Sequence, residues 1–399
     1  MAMALITGEQ MTADRVEAES WTWQTGISVA EQVHDNVFLQ PGGPPPQTPT
    51  DLDQREKTDF ITTLGATLIA RRESDRLTID LSYDPEFNFY AKFNDLNSVS
   101  HRGVALLQAV GLGPGPLRQA QLDVSDAYIR STEDQHAREA STLPPGPLNI
   151  NTTRTETTRN TAAATLLVPF TDTVSASLGY SHSFSEYEDP TLIDSIEQTI
   201  SAGADKVLSA RTTIAAIYSL HLFDFEGDHD ISQSVLMELA TSHSPTLSTA
   251  IAAGASYHRD TQENILIGSA SVTKQFRYTK ASASYSRDMS SSTGGVFNEP
   301  TTTETFAASL TRAMGERAEA LLAGDWTDVR SESTGAALRS FSVDAGVSYQ
   351  ATRWLAVRTA YRHFSQQGNA TDFVTGTDPE YRTDSITITL AGTWGDLEP

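Results

Sequence analysis

The chain has 399 residues, with 28 lysines and arginines against 51 aspartates and glutamates, for a formal net charge of −23. The lack of cysteine excludes disulfide scaffolds, thiolate catalysis and Cys-ligated zinc, and the acidity argues against nucleic acid, which needs clustered Lys and Arg. No run approaches the roughly 18 consecutive apolar residues of a membrane-spanning helix.

Serine (40) and threonine (49) together make up about 22% of the chain, and the mean hydropathy is −0.32. This mildly polar average does not by itself mean a soluble protein. A barrel strand is apolar only at every second position, so its oily face disappears in the mean.

From the N-terminus, Met1–Ser20 has no basic stretch followed by an apolar core. It is read as a tail, 1–20, whose export signal has been trimmed or lies upstream of Met1. The barrel is expected over 21–394, with 395–399 as a short C-terminal tail.

The first clean period-two run is Leu77, Ile79, Leu81 and Tyr83 against Thr78, Asp80 and Ser82. It continues past Pro85 to Phe87 and Phe89, with Asp84, Glu86 and Asn88 opposite. Val174–Tyr180 and Ala281–Tyr285 repeat the pattern. Near the C-terminus Phe341, Val343, Ala345, Val347 and Tyr349 alternate with Ser342, Asp344, Gly346 and Ser348. Leu355, Val357 and Tyr361 then oppose Arg358 and Arg362, and Ile386, Ile388, Leu390 and Trp394 close the series. Successive side chains of a strand point to opposite faces, so each run has one oily face and one wet face.

About 18 such runs lie between Trp21 and Trp394, each of about 10 residues, the length that crosses a bilayer at a steep tilt; 16 is the alternative count. Two segments, around Gln108–Leu117 and Gly203–Arg211, are poorly patterned. Short turns are expected at Glu73–Asp75, Pro169–Asp172, Ser244–Thr246, Gln275–Tyr278, Met314–Glu316 and Ala351–Arg353. Longer loops are expected at Gln40–Lys57, Thr132–Thr152, Glu186–Ser195, Asp288–Pro300 and Gln366–Asp384. This alternation predicts an all-β, antiparallel, up-and-down transmembrane barrel with short periplasmic turns, long extracellular loops and both ends on the short-turn side. A soluble β-sandwich is the competing reading.

Trp21, Trp23, Tyr349, Trp354 and Trp394 lie near short turns or the ends, where an interfacial aromatic girdle falls. The polar phase supplies lumen-lining candidates: Asp80, Asp84, Glu86, Asp344, Arg358 and Arg362. Acids facing bases across a pore create a transverse field, and the same residues also form ion pairs between strands. Loop acids such as Asp51, Glu56, Asp134, Glu186, Glu188 and Asp189 would meet divalent cations at a lipopolysaccharide surface or simply be solvated.

Short motifs carry a resemblance over about residues 21–130: His34-Asp35-Asn36-Val37 at a strand end, Lys57-Thr58-Asp59-Phe60 at a strand start, then Leu81-Ser82-Tyr83-Asp84, Phe89-Tyr90 and Ser100-His101-Arg102. The chain resembles an outer-membrane β-barrel porin family that includes the PEP-CTERM-system-associated, exopolysaccharide-associated barrels. That likeness implies a Gram-negative outer-membrane location, with outer-membrane lipid and lipopolysaccharide as surroundings. It also implies passage of an exopolysaccharide and a periplasmic polysaccharide-export protein as partner. The mixed-to-acidic lining narrows the polymer to a neutral, weakly charged or amino-containing one. A general diffusion porin for small solutes and a non-conducting docking barrel are the alternatives.

Evidence for catalysis is thin. Gly-x-Ser-x-Gly does not occur, and Gly179-Tyr180-Ser181-His182-Ser183 lacks the second glycine. Asp228-His229-Asp230 is the one dense His/carboxylate cluster, and it is read as a solvated external loop. With no His-Glu-x-x-His and no phosphate-cradling glycine loop, neither an enzyme activity nor a cofactor or metal is expected.

Overall fold

A computed structural model describes residues 21–37, 58–132, 155–190, 192–259, 262–290, 297, 299–331, 336–368 and 381–395. The tails and the loop segments read at Gln40–Lys57 and Thr132–Thr152 fall wholly or almost wholly outside these residues.

Eighteen antiparallel strands form one closed sheet. In chain order they are β1 Trp21–His34, β2 Asp59–Glu73, β3 Leu77–Tyr90, β4 Ser98–Val110, β5 Gln121–Ser131 and β6 Thr157–Thr171. Next come β7 Val174–Tyr187, β8 Ser195–Ser209, β9 Thr212–Phe225, β10 Asp228–Ser244, β11 Leu247–His258 and β12 Glu263–Gln275. The ring ends with β13 Thr279–Ser290, β14 Thr301–Ala313, β15 Ala318–Ser331, β16 Ala337–Thr352, β17 Leu355–Gly368 and β18 Tyr381–Gly395. Each strand pairs with its chain neighbour, and β1 pairs with both β2 and β18, so no edge is left over.

The strands are 11 to 17 residues long, longer than the bilayer length expected from the sequence. They overrun the membrane, and on some strands the outer face turns polar toward the long-loop end, as at Arg287, Glu304, Asp328 and Arg339. The strand ends also correct several loop bounds. β13 reaches Ser290 and β17 reaches Gly368, so the loops read from Asp288 and Gln366 start later. Both poorly patterned segments are resolved as well. Gly203–Ser209 is the end of β8, whereas Gly111–Ala120 is a connection containing a 3-10 turn at Gly115–Gln119.

The alternation of turns and loops holds with three exceptions. On the long-loop side, β9 and β10 join through Glu226-Gly227, both at positive φ (52° and 98°). Two such residues match the twist of the flanking strands in a two-residue hairpin, a geometry that favours glycine. Only residues 259–262 separate β11 from β12 on that same side, and 111–120 is a long connection on the short-turn side.

Hydroxyl residues shape the short turns. At four of them the ladder register shifts where the outgoing strand ends, next to Thr171, Ser209, Ser244 and Thr352. Each of these hydroxyls accepts a hydrogen bond from the backbone N–H two residues on: Thr173 (3.2 Å), Arg211 (3.2 Å), Thr246 (3.3 Å) and Trp354 (3.3 Å). The side chain replaces a ladder partner that the turn has removed.

Proline and a splayed seam mark the two irregular places in the wall. The β2–β3 ladder is interrupted between Gly65↔Glu86 and Leu68↔Tyr83, opposite Pro85, which has no N–H to donate. Between β12 and β13 pairing stops at Gly268↔Arg287, so Glu263–Ile267 have no β13 partner. The end of β13 turns inward there, and Ser232 on β10 donates from Oγ to Met289 Sδ at 3.7 Å.

Candidate functional site in the lumen

The two faces of the wall have opposite chemistry. Ile27, Leu64, Leu178, Ile251, Leu322 and Ile388 are exposed on the outside. Residues directly opposite one another share a face, so each ladder extends this assignment to its neighbour. Traced round the ring, the inward phase is lined with hydroxyls that bond across strands: Ser282 to Ser309 at 2.7 Å, Ser232 to Ser256 at 2.7 Å and Thr161 to Ser183 at 3.0 Å. An apolar exterior around a polar bore is stable only with lipid outside and water inside. The chain is a closed transmembrane β-barrel of the outer-membrane type.

The aromatic residues singled out from sequence all point outward at the short-turn end. Trp21 and Trp23 lie with ring centroids 6.0 Å apart, and Trp354 stacks on Trp394 at 6.5 Å; Tyr349 is equally exposed. A second aromatic row was missed. Tyr285, Phe306, Trp326 and Phe341 are register neighbours on β13–β16, nearer the long loops. Each looks ordinary in its own strand, and only the register aligns them.

The charged lumen candidates sit on the inward phase in one sector, from β16 round through β18 and β1 to β4. Asp344 on β16 lies 3.7 Å from Arg362 on β17, and Arg358 stands opposite Ser348. Asp80 is 3.4 Å from Arg71, and Asp84 stands opposite Arg102. Glu86 faces Gly65, where even a Cβ would come within 2.5 Å of Ser28 Oγ and 3.6 Å of Glu86 Cγ. Thus the acids of β3 and the arginines of β17 are not opposed walls, because only β18, β1 and β2 separate them. They are strand-to-strand pairs in one mixed sector.

A predominantly acidic wall lies elsewhere. On β8–β13 the inward phase carries Glu197, Asp205, Asp230, Glu238, Glu263 and Asp288, and among the described residues its one base is Lys280. Two histidines are set into it. His221 Nδ1 lies 3.1 Å from Thr199 Oγ1 and 3.5 Å from Glu197, with its ring stacked on Phe223. His258 pairs closely with Asp230, both nearly buried. Asp288, on the inturned end of β13, interacts electrostatically with both His221 and Glu197. Sequence reading missed this wall because its acids are spread over β8, β10, β12 and β13, with no more than two on any strand.

This geometry corrects the reading of Asp228-His229-Asp230 as an external loop. The three residues open β10, Asp230 enters the lumen, and His229 reaches Asp224 at 3.3 Å on the outer face. Similarly, Ser181 and His182 fall on opposite faces of β7, so they form no nucleophile–base pair.

The long-loop mouth is narrowed by a dry cluster. Tyr187 and Leu192 come from the β7 side, Phe297 from the β13–β14 connection, and Val329, Ala336 and Leu338 from β15 and β16. Because β15 is eight strands from β7 round the ring, this cluster reaches across the bore. Arg159 holds Tyr187 in place, donating from Nη2 to its hydroxyl at 3.1 Å. A second cluster, Val37, Ile61 and Tyr90 with Phe93 and Leu96, occupies the same end on β1–β3.

No family model matches this sequence, and no curated protein matches it. Several solved structures are similar in outline. OccK9 (OpdG) of Pseudomonas aeruginosa is 11% identical at a TM-score of 0.49, over 94% of this chain and 98% of that one. OccAB3 of Acinetobacter baumannii is 8% identical at 0.48, over 94% and 99%. Pseudomonas aeruginosa OpdK, crystallised with vanillate, is 8% identical at 0.47, over 93% and 99%. Function has to be read from this barrel's own lining.

Proposed function

We propose that the barrel is an outer-membrane channel that passes small polar solutes and prefers cations and amine-bearing molecules. The observation that carries this reading is the acidic β8–β13 wall facing a sector in which Arg71 pairs with Asp80 and Arg362 with Asp344. In a low-dielectric bore, carboxylates on one wall attract cations and repel anions. Eighteen strands enclose a water-filled lumen, and the dry cluster at the long-loop mouth sets an upper limit on what enters.

That cluster is also why small solutes are favoured here over the exopolysaccharide suggested by the motif resemblance. A polymer needs a bore that stays open along its whole length. Among the described residues, nothing in the lining favours a polysaccharide-export partner over free diffusion.

Planar-bilayer recordings in a salt gradient test the proposal. The reversal potential should lie toward the cation equilibrium value. Glu197→Gln, Asp230→Asn and Glu238→Gln combined should move it toward zero. A folded barrel that does not conduct, or that prefers anions, overturns the reading. Current unchanged by added neutral polysaccharide, but reduced by a small diamine, would separate the solute channel from the polymer conduit.

A further inference from the structure

The inward face where β15 meets β16 holds a polar patch outside the acidic wall. Asp325 stands directly opposite Ser342, and Thr327 opposite Ser340. Opposed residues of an antiparallel ladder have Cβ atoms about 5 Å apart, and alternate residues of one strand lie about 7 Å apart. These four side chains therefore outline a small frame on one face of the sheet. The next inward pair toward the long loops is Val329 opposite Leu338, both in the dry cluster. A solute that passes the cluster meets this frame next.

Two polar atoms of the frame are left over. Asp325 Oδ1 accepts from Ser342 Oγ, but Asp325 Oδ2 is buried with no hydrogen-bond partner. Ser340 is 2% exposed, and its Oγ is likewise buried and unpartnered. Thr327, also fully buried, shares a hydrogen bond with Thr305 at 3.3 Å, and its oxygen keeps a free lone pair. Among the described residues Asp325 has no basic partner, and Arg362, on the inward phase of β17, lies against Asp344 instead. Asp325 as a residue is only half-buried, so the frame borders the bore on that side. A carboxylate oxygen withheld from water and from every donor is costly to maintain. A cationic donor arriving from the bore removes that cost.

We propose that Asp325, with Ser340 and Thr327 beside it, binds the primary ammonium group of a permeating amine just inside the dry cluster. An –NH3+ group carries three donors and no acceptor. Asp325 Oδ2, Ser340 Oγ and Thr327 Oγ1 present three oxygens around one frame, and the carboxylate supplies the opposite charge that strengthens such bonds. A quaternary ammonium has the same charge but no N–H to give, and an anion would meet the carboxylate. The proposal rests on the cation-channel reading and adds to it a place where an amine is held.

Heat unfolding of the folded, detergent-solubilised barrel in chloride salts of equal ionic strength tests it. Methylammonium should raise the unfolding midpoint about 2 °C above that in tetramethylammonium, because a ligand held by the folded state alone stabilises it. Asp325→Asn should remove that difference, and Ser340→Ala should reduce it. Asp123→Asn should keep it, since this inward carboxylate near the short turns is already bonded to Gln108 and Gln121. Equal midpoints for the wild type in the two salts overturn the site, as does an Asp325→Asn barrel that keeps the difference or an equal loss in Asp123→Asn. Potassium as effective as methylammonium overturns the ammonium assignment. Heat-modifiable gel mobility reports folding, and should Asp325→Asn not fold, an unchanged difference in Ser340→Ala overturns the site instead. The reversal potential of the same barrel keeps the two readings apart. Cation preference with equal midpoints sinks this site alone, whereas anion preference sinks the channel reading.

Discussion

The two ends of the lumen are built from the same alternating strands, yet they differ in almost every physical respect. Toward the short turns, inward side chains such as Thr67, Asp80, Ser177 and Arg358 stay partly solvated, and their ion pairs are open to water. Toward the long loops, inward residues are buried: Asp59, Asn88, Ser232, Thr327, Ser342 and Gln366 have almost no exposed surface. There polar groups bond to one another, as Thr63 Oγ1 does to Asn88 Oδ1 at 2.7 Å. Asp59 accepts backbone N–H bonds from Phe60, Lys92 and Phe93. One end is a wet vestibule and the other a packed mouth. A strand pattern alone is compatible with both, so it is what the connections bring in that decides between them.

This contrast can be broken most sharply at the dry cluster. Leu338 is completely buried in it, so Leu338→Ala should cost about 2–4 kcal/mol in reversible unfolding from lipid or detergent. It should also widen the mouth, raising single-channel conductance. Loss of stability with no rise in conductance would show that the cluster is packing and not a restriction.

A smaller effect is expected where polar pairs replace packing. Asp230→Asn leaves nearly buried His258 without its carboxylate and should cost about 1–3 kcal/mol. It should weaken cation preference as a single step of the combined wall variant. A selectivity equal to wild type would remove this pair from the filter.

The smallest change belongs to the vestibule. Arg71 pairs with Asp80 and Glu73, but its side chain is 44% exposed, so Arg71→Ala should alter stability by no more than about 1 kcal/mol. An effect as large as that of Leu338→Ala would mean that the two ends are not energetically distinct.

Much of the barrel is legible in the amino-acid sequence, because period-two alternation is a local property. The Phe341–Tyr349 run tells which side chains share a face, and the 18-strand count follows from counting such runs. The aromatic residues beside the short turns can be found for the same reason. Strand length is underestimated because the alternating pattern loses its apolar half where a strand rises past the membrane. Asp228 to Asp230 illustrate this, reading as loop although they continue the ladder. The seam between β12 and β13 leaves no trace in the sequence, since its residues alternate like any others.

The sequence by itself determined that this chain is a closed, alternating barrel, with hydroxyls and charges inside and aliphatics outside. Side-chain direction in a strand depends only on residue parity, and parity is written in the chain. Tertiary structure decided which strands stand beside or across from one another. That made neighbours of Asp344 and Arg362, gathered isolated acids on β8–β13 into one wall, and carried Phe297 to Tyr187 across the bore. Those relations depend on ring closure and register, which are set by all eighteen strands together.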